Sequence, residues 1–543
     1  MQAEALRQWT RNPTPILSSI QTLASLGRAA SELGKTRREI GKLRWGLAFF
    51  VLCLVTAVLA SAQTLTTLVS FNGSDGGNPY RMSLVQGRDG NLYGTTQFGG
   101  DHTGCSTVFS GCGTIFKVTT GGTLTSLYSF CAKTNCTDGA QPVAGLVLGT
   151  DGNFYGTTEY AGANCLAYYD YCGGTIFKIT PSGTFTTLYS FCSQAGCADG
   201  SQPTAGLVQA TDGNFYGTTY AGGVQANYCA QGTVFKVTPT GAFTTLYNFG
   251  QQPGCSDGSR PLGALIQGTD GNLYGTTVSG GNSYHYGTVF KITTAGTLTT
   301  LKVLQFPQQP FAGLVQGADG KFYATTHYGG GGGYCGQPSH VGCGTVFKIT
   351  STGTLTVLHK FCTQANCPDG AFLVAPLVQG TDGNFYGTTD FNGGAVFNIT
   401  SSGTLTTLHT FSSNSQDPGG SAPDDGLVQA TDGNFYGTTE YGGTSNNCGG
   451  TYNCGTIFRL SMGLSPFVEP VPSSGKVGAT VRILGTNLKG ATSVSFNGTA
   501  ATFTVVSGTQ IKTTVPTGAT TGTVTVITPS STLSSNVAFQ VLP

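Results

Sequence analysis

The nine residues TDGNFYGTT at Thr150–Thr158 recur unchanged at Thr211–Thr219, Thr381–Thr389 and Thr431–Thr439. Asp-Gly between two apolar runs is a strong β-hairpin signal, because glycine adopts a positive φ without a Cβ clash. The motif therefore predicts a tight turn between paired strands. Its repetition indicates a scaffold of equal units, because catalytic sites are built once from unlike residues.

Seven Asp-Gly pairs mark seven such units, spaced about 50–63 residues apart, a period typical of propellers and repeat arrays. Each unit continues into an alternating segment such as GTVFKVT and ends in another such as AFTTLYNF, which predicts four strands per unit. Four strands at this period predict one β-propeller blade. The pairs begin at Asp89, Asp151, Asp212, Asp270, Asp319, Asp382 and Asp432.

The seventh unit lacks its last strand, because GTIFRL at Gly455 is followed by SMGLSPF. A spare copy of that strand, TLTTLVSF, lies at Thr64–Phe71. This N-terminal strand is expected to complete the last blade and to close the ring, which removes exposed sheet edges. The predicted fold is all-β, with a seven-bladed β-propeller over residues 63–462 that is closed by its N-terminal strand.

A small β-sandwich is predicted over residues 465–543, where short alternating strands and Gly, Thr and Ser turns replace the repeat. The stretch VRILGTNLKGATSVSFNG, the pair Val515-Pro516 and GTVTV at Gly522 resemble the TIG/IPT family of immunoglobulin-like domains. That resemblance implies a spacer or an interaction module. The DGNFYGTT and GTIFKIT stretches resemble the GloVer repeat family of exported proteins from Gloeobacter and Verrucomicrobia, a resemblance that implies no particular activity.

Residues 1–62 have the features of an export signal. Basic residues up to Arg44 precede WGLAFFVLCLVTAVLASAQ, and Ala60-Ser61-Ala62 forms an A-x-A cleavage signature. Cleavage before Gln63 is predicted, and an uncleaved anchor in the membrane is the alternative. We therefore expect an exported protein that is extracellular, at the cell surface or periplasmic. With 9% charged residues and a net charge of +1, no nucleic-acid partner is expected.

The cysteines agree with export. Seventeen are present, and sixteen follow the apolar segment that contains Cys53, an even number typical of a disulfide-bonded exported protein. Zinc is the alternative, but isolated pairs without nearby histidines do not suit it, so neither a metal nor a cofactor is predicted. The predicted disulfides are Cys105–Cys112, Cys131–Cys136, Cys165–Cys172, Cys192–Cys197, Cys229–Cys255, Cys335–Cys343, Cys362–Cys367 and Cys448–Cys454.

The longer connections, after GTT and after LYSF, are predicted to share one face, which we call the long-loop face. The residue directly after each GTT or ATT varies although its neighbours repeat, so these residues are candidates for a ligand site, with a tolerant surface position as the alternative. Tyr169 and Tyr284 in the loops beside them suit glycan or protein recognition, or they pin glycine-rich loops. The candidate positions are Gln97, Glu159, Tyr220, Val278, His327, Asp390 and Glu440.

No H-E-x-x-H, G-x-S-x-G or phosphate-binding loop occurs in the chain, so no catalytic residue is predicted. The leading hypothesis is a non-enzymatic binding or adhesion protein of the cell surface, whose partner is a glycan or a surface protein. A carbohydrate-active hydrolase or lyase with its site on the long-loop face is the alternative. A purely structural surface spacer is a third hypothesis.

Overall fold

The computed structural model describes residues 63–102, 111–164, 173–224, 231–281, 286–305, 308–331, 342–448 and 452–543. Across these ranges, seven four-stranded antiparallel sheets precede a small β-sandwich. The predicted all-β fold, a seven-bladed propeller followed by an immunoglobulin-like sandwich, is confirmed. Residues 63–543 form one compact unit.

The first six blades each use four consecutive strands, paired in sequence order. Blade 1 contains β2 (Val85–Gln86), β3 (Leu92–Thr96), β4 (Thr114–Val118) and β5 (Leu124–Ser129). Blade 2 contains β6 (Val147–Leu148), β7 (Phe154–Thr158), β8 (Thr175–Ile179) and β9 (Phe185–Ser190). Blade 3 contains β10 (Val208–Gln209), β11 (Phe215–Thr219), β12 (Thr233–Val237) and β13 (Phe243–Asn248).

Blades 4 to 6 follow the same order. Blade 4 contains β14 (Ile266–Gln267), β15 (Leu273–Thr277), β16 (Thr288–Ile292) and β17 (Leu298–Val303). Blade 5 contains β18 (Val315–Gln316), β19 (Phe322–Thr326), β20 (Thr345–Ile349) and β21 (Leu355–Lys360). Blade 6 contains β22 (Val378–Gln379), β23 (Phe385–Thr389), β24 (Ala395–Ile399) and β25 (Leu405–Thr410). Short 3-10 segments lie at Thr134–Cys136, Ala195–Cys197, Pro253–Cys255 and Phe391–Gly393.

Blade 7 is closed by the N-terminal strand, as the sequence predicts. Its strands are β26 (Val428–Gln429), β27 (Phe435–Thr439) and β28 (Thr456–Ser461), and β1 (Thr64–Ser70) is its outermost strand. β1 runs antiparallel to β28, with Thr64 opposite Ser461 and Ser70 opposite Thr456. The two ends of the propeller are therefore held in one sheet.

Each Asp-Gly turn is fixed by its own carboxylate. In blade 2, Asp151 accepts hydrogen bonds from the backbone N–H of Asn153 at 3.0 Å and from the Tyr155 hydroxyl at 2.8 Å. Gly152 adopts φ +90°, which favours glycine. The Tyr155 ring then stacks on Phe215 of blade 3, with ring centroids 3.9 Å apart. The repeated motif thus builds both the turn and the contact to the next blade.

Glutamines join neighbouring blades near the same turns. The Gln209 side chain in blade 3 accepts a 2.8 Å hydrogen bond from the backbone N–H of Thr150 in blade 2. Gln86 in blade 1 accepts the equivalent bond from Thr431 in blade 7, at 2.9 Å. The ring is therefore closed at its inner strands as well as at its outer edge.

The sandwich packs two four-stranded sheets face to face. One sheet contains β29 (Glu469–Val471), β31 (Thr480–Leu484), β35 (Gln510–Thr514) and β34 (Phe503–Val505). The other contains β33 (Thr499–Ala500), β32 (Ser493–Phe496), β36 (Val524–Ile527) and β37 (Thr532–Ser534). A parallel pair joins β30 (Ser474–Lys476) to β38 (Gln540–Leu542). The alternating inward residues of both sheets form its core.

The sandwich contacts the propeller at the face that carries the Asp-Gly turns. The Thr486 hydroxyl donates to the carbonyl of Thr431 in blade 7 at 2.9 Å, and the Thr509 hydroxyl donates to the carbonyl of Arg88 in blade 1 at 2.9 Å. Gln540 reaches the carbonyl of Thr269 in blade 4 at 3.3 Å. Because blade 4 lies across the ring from blades 7 and 1, the sandwich extends beneath the propeller axis and leaves the long-loop face uncovered.

Four of the predicted disulfides lie in described residues: Cys131–Cys136, Cys192–Cys197, Cys362–Cys367 and Cys448–Cys454. Cys112, Cys255 and Cys343 are also disulfide-bonded. Cys105, Cys165, Cys172, Cys229 and Cys335 lie outside the described residues, as do residues 1–62, in which the export signal is predicted. From Gln63 onwards, no helix in the described ranges has the length and hydrophobicity needed to cross a membrane.

Candidate ligand-binding site

The variable residues after each GTT or ATT stand at equivalent backbone positions in all seven blades. Their backbone N–H groups donate to carbonyls of the connection that leads into the inner strand of the same blade, at 2.8–3.2 Å. We call these residues the upper ring, because they follow strands that end at the long-loop face. The upper ring consists of Gln97, Glu159, Tyr220, Val278, His327, Asp390 and Glu440.

A second set of variable residues lies one step deeper, where each inner strand enters the channel. Five of its members line a cavity of about 250 Å³ in the channel. These residues are not among the candidates predicted from the sequence, although their positions share a signal: each stands three residues before the leucine of the repeated GLVQ motif. We call this set the lower ring, and it consists of Arg81, Val143, Thr204, Leu262, Phe311, Val374 and Asp424.

Small residues narrow the channel below the lower ring. A Cβ atom added to Gly145 would lie 2.6 Å from the carbonyl oxygen of Ser83, and one added to Gly313 would lie 2.6 Å from that of Ala264. The inner strands of neighbouring blades therefore approach too closely there for larger side chains. Gly145 and Gly313 are also part of the lining of the cavity.

Carboxyl groups from both rings meet beside blade 7. Asp424 is only 5% exposed and shares hydrogen bonds with Asp390 and Glu440. Burial and the two neighbouring carboxylates raise the pKa of Asp424 well above its usual value. Burial is also the largest influence on Glu440 and raises its pKa to about 7. We call Asp390, Asp424 and Glu440 the carboxyl trio.

Asp425, the neighbour of the trio, has a structural role. It is 1% exposed, and it accepts hydrogen bonds from the backbone N–H of Met82 at 2.8 Å and from the Thr438 hydroxyl. The bond from Met82 joins blade 1 to blade 7, and the bond from Thr438 lies within blade 7.

Arg81 reaches across the channel from blade 1. Its guanidinium lies over the rings of Tyr80 and of Phe311 in blade 5, with Cζ 5.1 and 5.3 Å from the ring centroids. Arg81 adopts φ +54°, at a place where blade 1 carries one residue more between proline and leucine than blades 2 to 5 and blade 7. Its positive charge partly offsets the effect of burial on the pKa values of Glu159, Asp390 and Glu440.

Aromatic rings from blades 5 and 6 lie beside the carboxyl trio. The His327 ring stacks between Phe311 and Phe372, at centroid distances of 4.5 and 5.0 Å, and Tyr328 meets it edge-on at 4.4 Å. His327 is therefore part of an aromatic stack. The trio, Arg81 and this stack together give the mouth one acidic side, one central cation and one aromatic side.

The structure places the other predicted site residues less closely together. Tyr220 lies beneath the guanidinium of Arg260, 5.4 Å from its ring centroid. Gln97 is partly buried and Val278 is fully buried. Tyr169 and Tyr284 lie outside the described residues. Among the residues with described positions, no three His, Cys, Asp or Glu side chains are arranged to hold a metal ion.

Comparison with known proteins identifies both parts of the chain. A family model for the Gloeobacter/Verrucomicrobia repeat matches residues 53–228, 169–364 and 333–482. A second model, for the IPT/TIG domain, matches residues 468–541. No functionally curated protein is significantly similar in sequence.

Two solved structures resemble the propeller. A Bacteroides fragilis protein provisionally assigned as a 6-phosphogluconolactonase is 16% identical, with a TM-score of 0.40 over 69% of this chain and 98% of its own. A Bacteroides uniformis protein with the same provisional assignment is 14% identical, with a TM-score of 0.41 over 68% of this chain and 99% of its own. At these values, neither similarity bears on the activity of this chain.

Proposed function

The chain belongs to the Gloeobacter/Verrucomicrobia repeat family and ends in an IPT/TIG domain, and from this we propose that it is an exported, disulfide-braced binding protein of the cell surface. Its ligand would occupy the mouth of the propeller channel on the long-loop face. The observation that carries the proposal is a cavity to which five non-repeating residues of the lower ring contribute, within a scaffold whose other positions repeat. Binding sites on rigid scaffolds characteristically vary where the scaffold does not.

The chemistry of the mouth supports recognition of a polar organic ligand. Carboxyl groups and a guanidinium provide directional hydrogen bonds, and the Phe311, His327 and Phe372 rings provide a flat apolar wall. Sugars combine hydroxyl groups with apolar faces, so a glycan is one class of ligand that this chemistry supports. The strands that hold both rings are paired within blades, so little ordering is needed on binding.

Screening the full chain on a glycan array, with reducing-sugar release measured alongside, tests this proposal. For any glycan that binds, Tyr220→Ala is expected to weaken binding at least fivefold, because an aromatic anchor typically contributes more than about 1 kcal/mol. Gly213→Val is the matched control at the opposite face. It is expected to lower thermal stability, because Gly213 adopts φ +84°, while leaving affinity unchanged. A glycan affinity that stays unchanged in every variant with a substitution at the mouth would contradict the proposal.

A carbohydrate-active hydrolase or lyase is the second candidate. The observation that favours it is the pairing of Glu440, whose pKa is raised to about 7, with Asp424, whose pKa is also raised, since general acid–base catalysis uses carboxyl groups whose pKa lies near the working pH. Against it, a direct hydrogen bond between two carboxyl groups leaves no room between them for a glycosidic bond. Release of reducing ends that Glu440→Gln abolishes would establish this candidate.

A further inference from the structure

We propose that the mouth of the channel binds a small zwitterion of the α-amino acid class, with the ligand carboxylate at Arg81 and the ligand ammonium at the carboxyl trio. This inference rests on the proposed function and gives its ligand a chemical class different from a neutral glycan. The apolar cavity beneath would hold the ligand's side chain.

The Arg81 guanidinium is available to an anion. It is held by two aromatic rings, and within the described ranges it makes no ion pair and its buried Nε has no hydrogen-bond partner. Buried guanidinium groups normally pair with carboxylates through two parallel hydrogen bonds. A ligand carboxylate would supply the acceptors that the surrounding protein does not.

The carboxyl trio supplies the opposite charge. Asp424 is more than nine-tenths buried, and its Oδ1 atom has no hydrogen-bond partner among the described residues. An ammonium placed there would donate to this oxygen and would favour ionisation of Asp390 and Glu440. A ligand with a carboxylate alone would be repelled by the trio, and one with an ammonium alone would be repelled by Arg81.

The two opposite charges of the site lie on neighbouring blades, and Arg81 lowers the pKa values of Asp390 and Glu440 electrostatically. Arg81 belongs to blade 1, and Asp424 and Glu440 belong to blade 7, which neighbours it. One small ligand can therefore meet both. A glycan without charges would form weaker hydrogen bonds with the guanidinium and with the buried Asp424 oxygen than a charged ligand would.

The cavity limits the size of the ligand. Its volume of about 250 Å³ is below the range of roughly 300–1,000 Å³ that is typical of sites for drug-sized molecules. Leu262, Phe311 and Val374 contribute apolar walls and Thr204 contributes a hydroxyl. These features favour a single apolar or aromatic side chain over a long polymer.

Thermal-shift screening of the full chain against the twenty common L-amino acids, followed by calorimetry, tests the inference. At least one amino acid is expected to raise the melting temperature. Its amine-only and carboxylate-only analogues (2-phenylethylamine and 3-phenylpropionate, if phenylalanine is selected) are expected to bind at least tenfold more weakly. A screen in which no amino acid stabilises the protein, or in which the analogues bind as well, would overturn the inference.

Two variants distinguish direct recognition from a structural effect. Arg81→Gln should weaken the amino acid at least tenfold and leave the amine-only analogue unweakened. The double variant Asp424→Asn, Glu440→Gln should weaken the amino acid and leave the carboxylate-only analogue unweakened. Lys302→Gln, which removes a charge from the outer strand of blade 4, is the control and should change neither. If all ligands weaken together in both variants, the inference is wrong, whereas a glycan that binds at the mouth would still support the proposed function.

Discussion

At the scale of single residues, buried carboxyl groups have two distinct roles in this propeller. Some accept several hydrogen bonds and stabilise the connections between blades, whereas those of the trio meet one another beside the channel. The difference lies in their partners: backbone N–H and tyrosine O–H groups favour a carboxylate, and a neighbouring carboxylate disfavours one. Neutral substitutions in the first group should therefore lower the free energy of unfolding, whereas neutral substitutions in the trio should raise it at neutral pH.

Asp199 represents the structural group. It is fully buried and accepts hydrogen bonds from the Tyr189 hydroxyl at 2.7 Å and from the backbone N–H groups of Ser193 and Gln194 at 3.0 and 3.3 Å. Asp199→Ala leaves these donors unsatisfied, so we expect a loss of about 2–4 kcal/mol in the free energy of unfolding. Denaturant titration measures this loss. The exposed Asp101→Ala is the control, and equal stability of the two variants would contradict the assignment.

Glu440 represents the trio and faces Asp390, Asp424, Tyr441 and Arg81. Its pKa is about 7 in the folded protein and 4.5 for a free glutamate, so ionisation costs more in the folded state than in the unfolded state. Stability should therefore fall as the pH rises from about 4.5 to 7. Glu440→Gln cannot ionise, so it should be more stable than the wild type at pH 8, on the order of 2 kcal/mol.

The two proteins should be almost equally stable at about pH 4, where Glu440 is mostly protonated in both the folded and the unfolded state. Melting temperatures measured at both pH values provide the comparison. A Glu440→Gln variant that is less stable than the wild type at pH 8 would show that Glu440 is a stabilising carboxylate instead.

At the scale of strands and blades, ring closure depends on β1. This strand supplies the only partner that the described chain gives to the outer edge of β28, and Phe71 just beyond it is buried against Phe116 of blade 1 at 5.3 Å. Deleting Gln63–Phe71 would expose β28 and leave a void at the junction. We expect a lower melting temperature and association of the chain through the open edge.

Analytical ultracentrifugation and thermal denaturation of the deletion variant test this expectation. A synthetic peptide with the sequence of Gln63–Phe71 should restore a monomer, and a scrambled peptide should not. A truncated chain that stays monomeric with an unchanged melting temperature would contradict the role of β1.

The sequence could predict the blades better than the site, for physical reasons visible in particular residues. The turn at Asp151-Gly152 and the alternation of Phe154 and Tyr155 are local patterns, so each strand can be predicted from its own residues. The number of strands and the displaced TLTTLVSF then predict the topology. The lower ring could not be predicted from the sequence, because Arg81 contacts Phe311 and Asp424 contacts Glu440 only when the blades have closed into a propeller. His327 is a predicted ligand-site residue, and its stacking on Phe311 and Phe372 is a long-range contact that the sequence does not reveal.

At the scale of the whole molecule, the two faces of the propeller differ: the Asp-Gly face contacts the sandwich, and the long-loop face carries the channel mouth. The sandwich is attached at the Asp-Gly face through contacts such as Thr486 with Thr431, and the narrowed channel separates that face from the mouth. Disulfides and the IPT/TIG domain indicate an extracellular or periplasmic location. This arrangement suits a propeller that is attached through the sandwich at its Asp-Gly face and binds its ligand at the long-loop face.

Removal of residues 465–543 is expected to leave ligand affinity within twofold of the wild type, because the sandwich contributes no residue to either ring. It should lower the melting temperature modestly, since the hydrogen bonds to Thr431, Arg88 and Thr269 are lost. Calorimetry on the shortened chain measures the first quantity, and a thermal scan measures the second. Loss of ligand binding in the shortened chain would indicate that the binding site lies on the sandwich.

Hydrogen–deuterium exchange of the full chain, with and without the strongest ligand from the glycan and amino-acid screens, tests the central claim most directly. The claim is that ligands bind where the two variable rings surround the channel mouth. We predict increased protection in the peptides that contain Arg81, Glu159, Asp390, Asp424 and Glu440, with unchanged exchange in the Asp-Gly turns and in residues 465–543. Protection confined to the sandwich or to the turn face, or the absence of any ligand in both screens, would contradict the account.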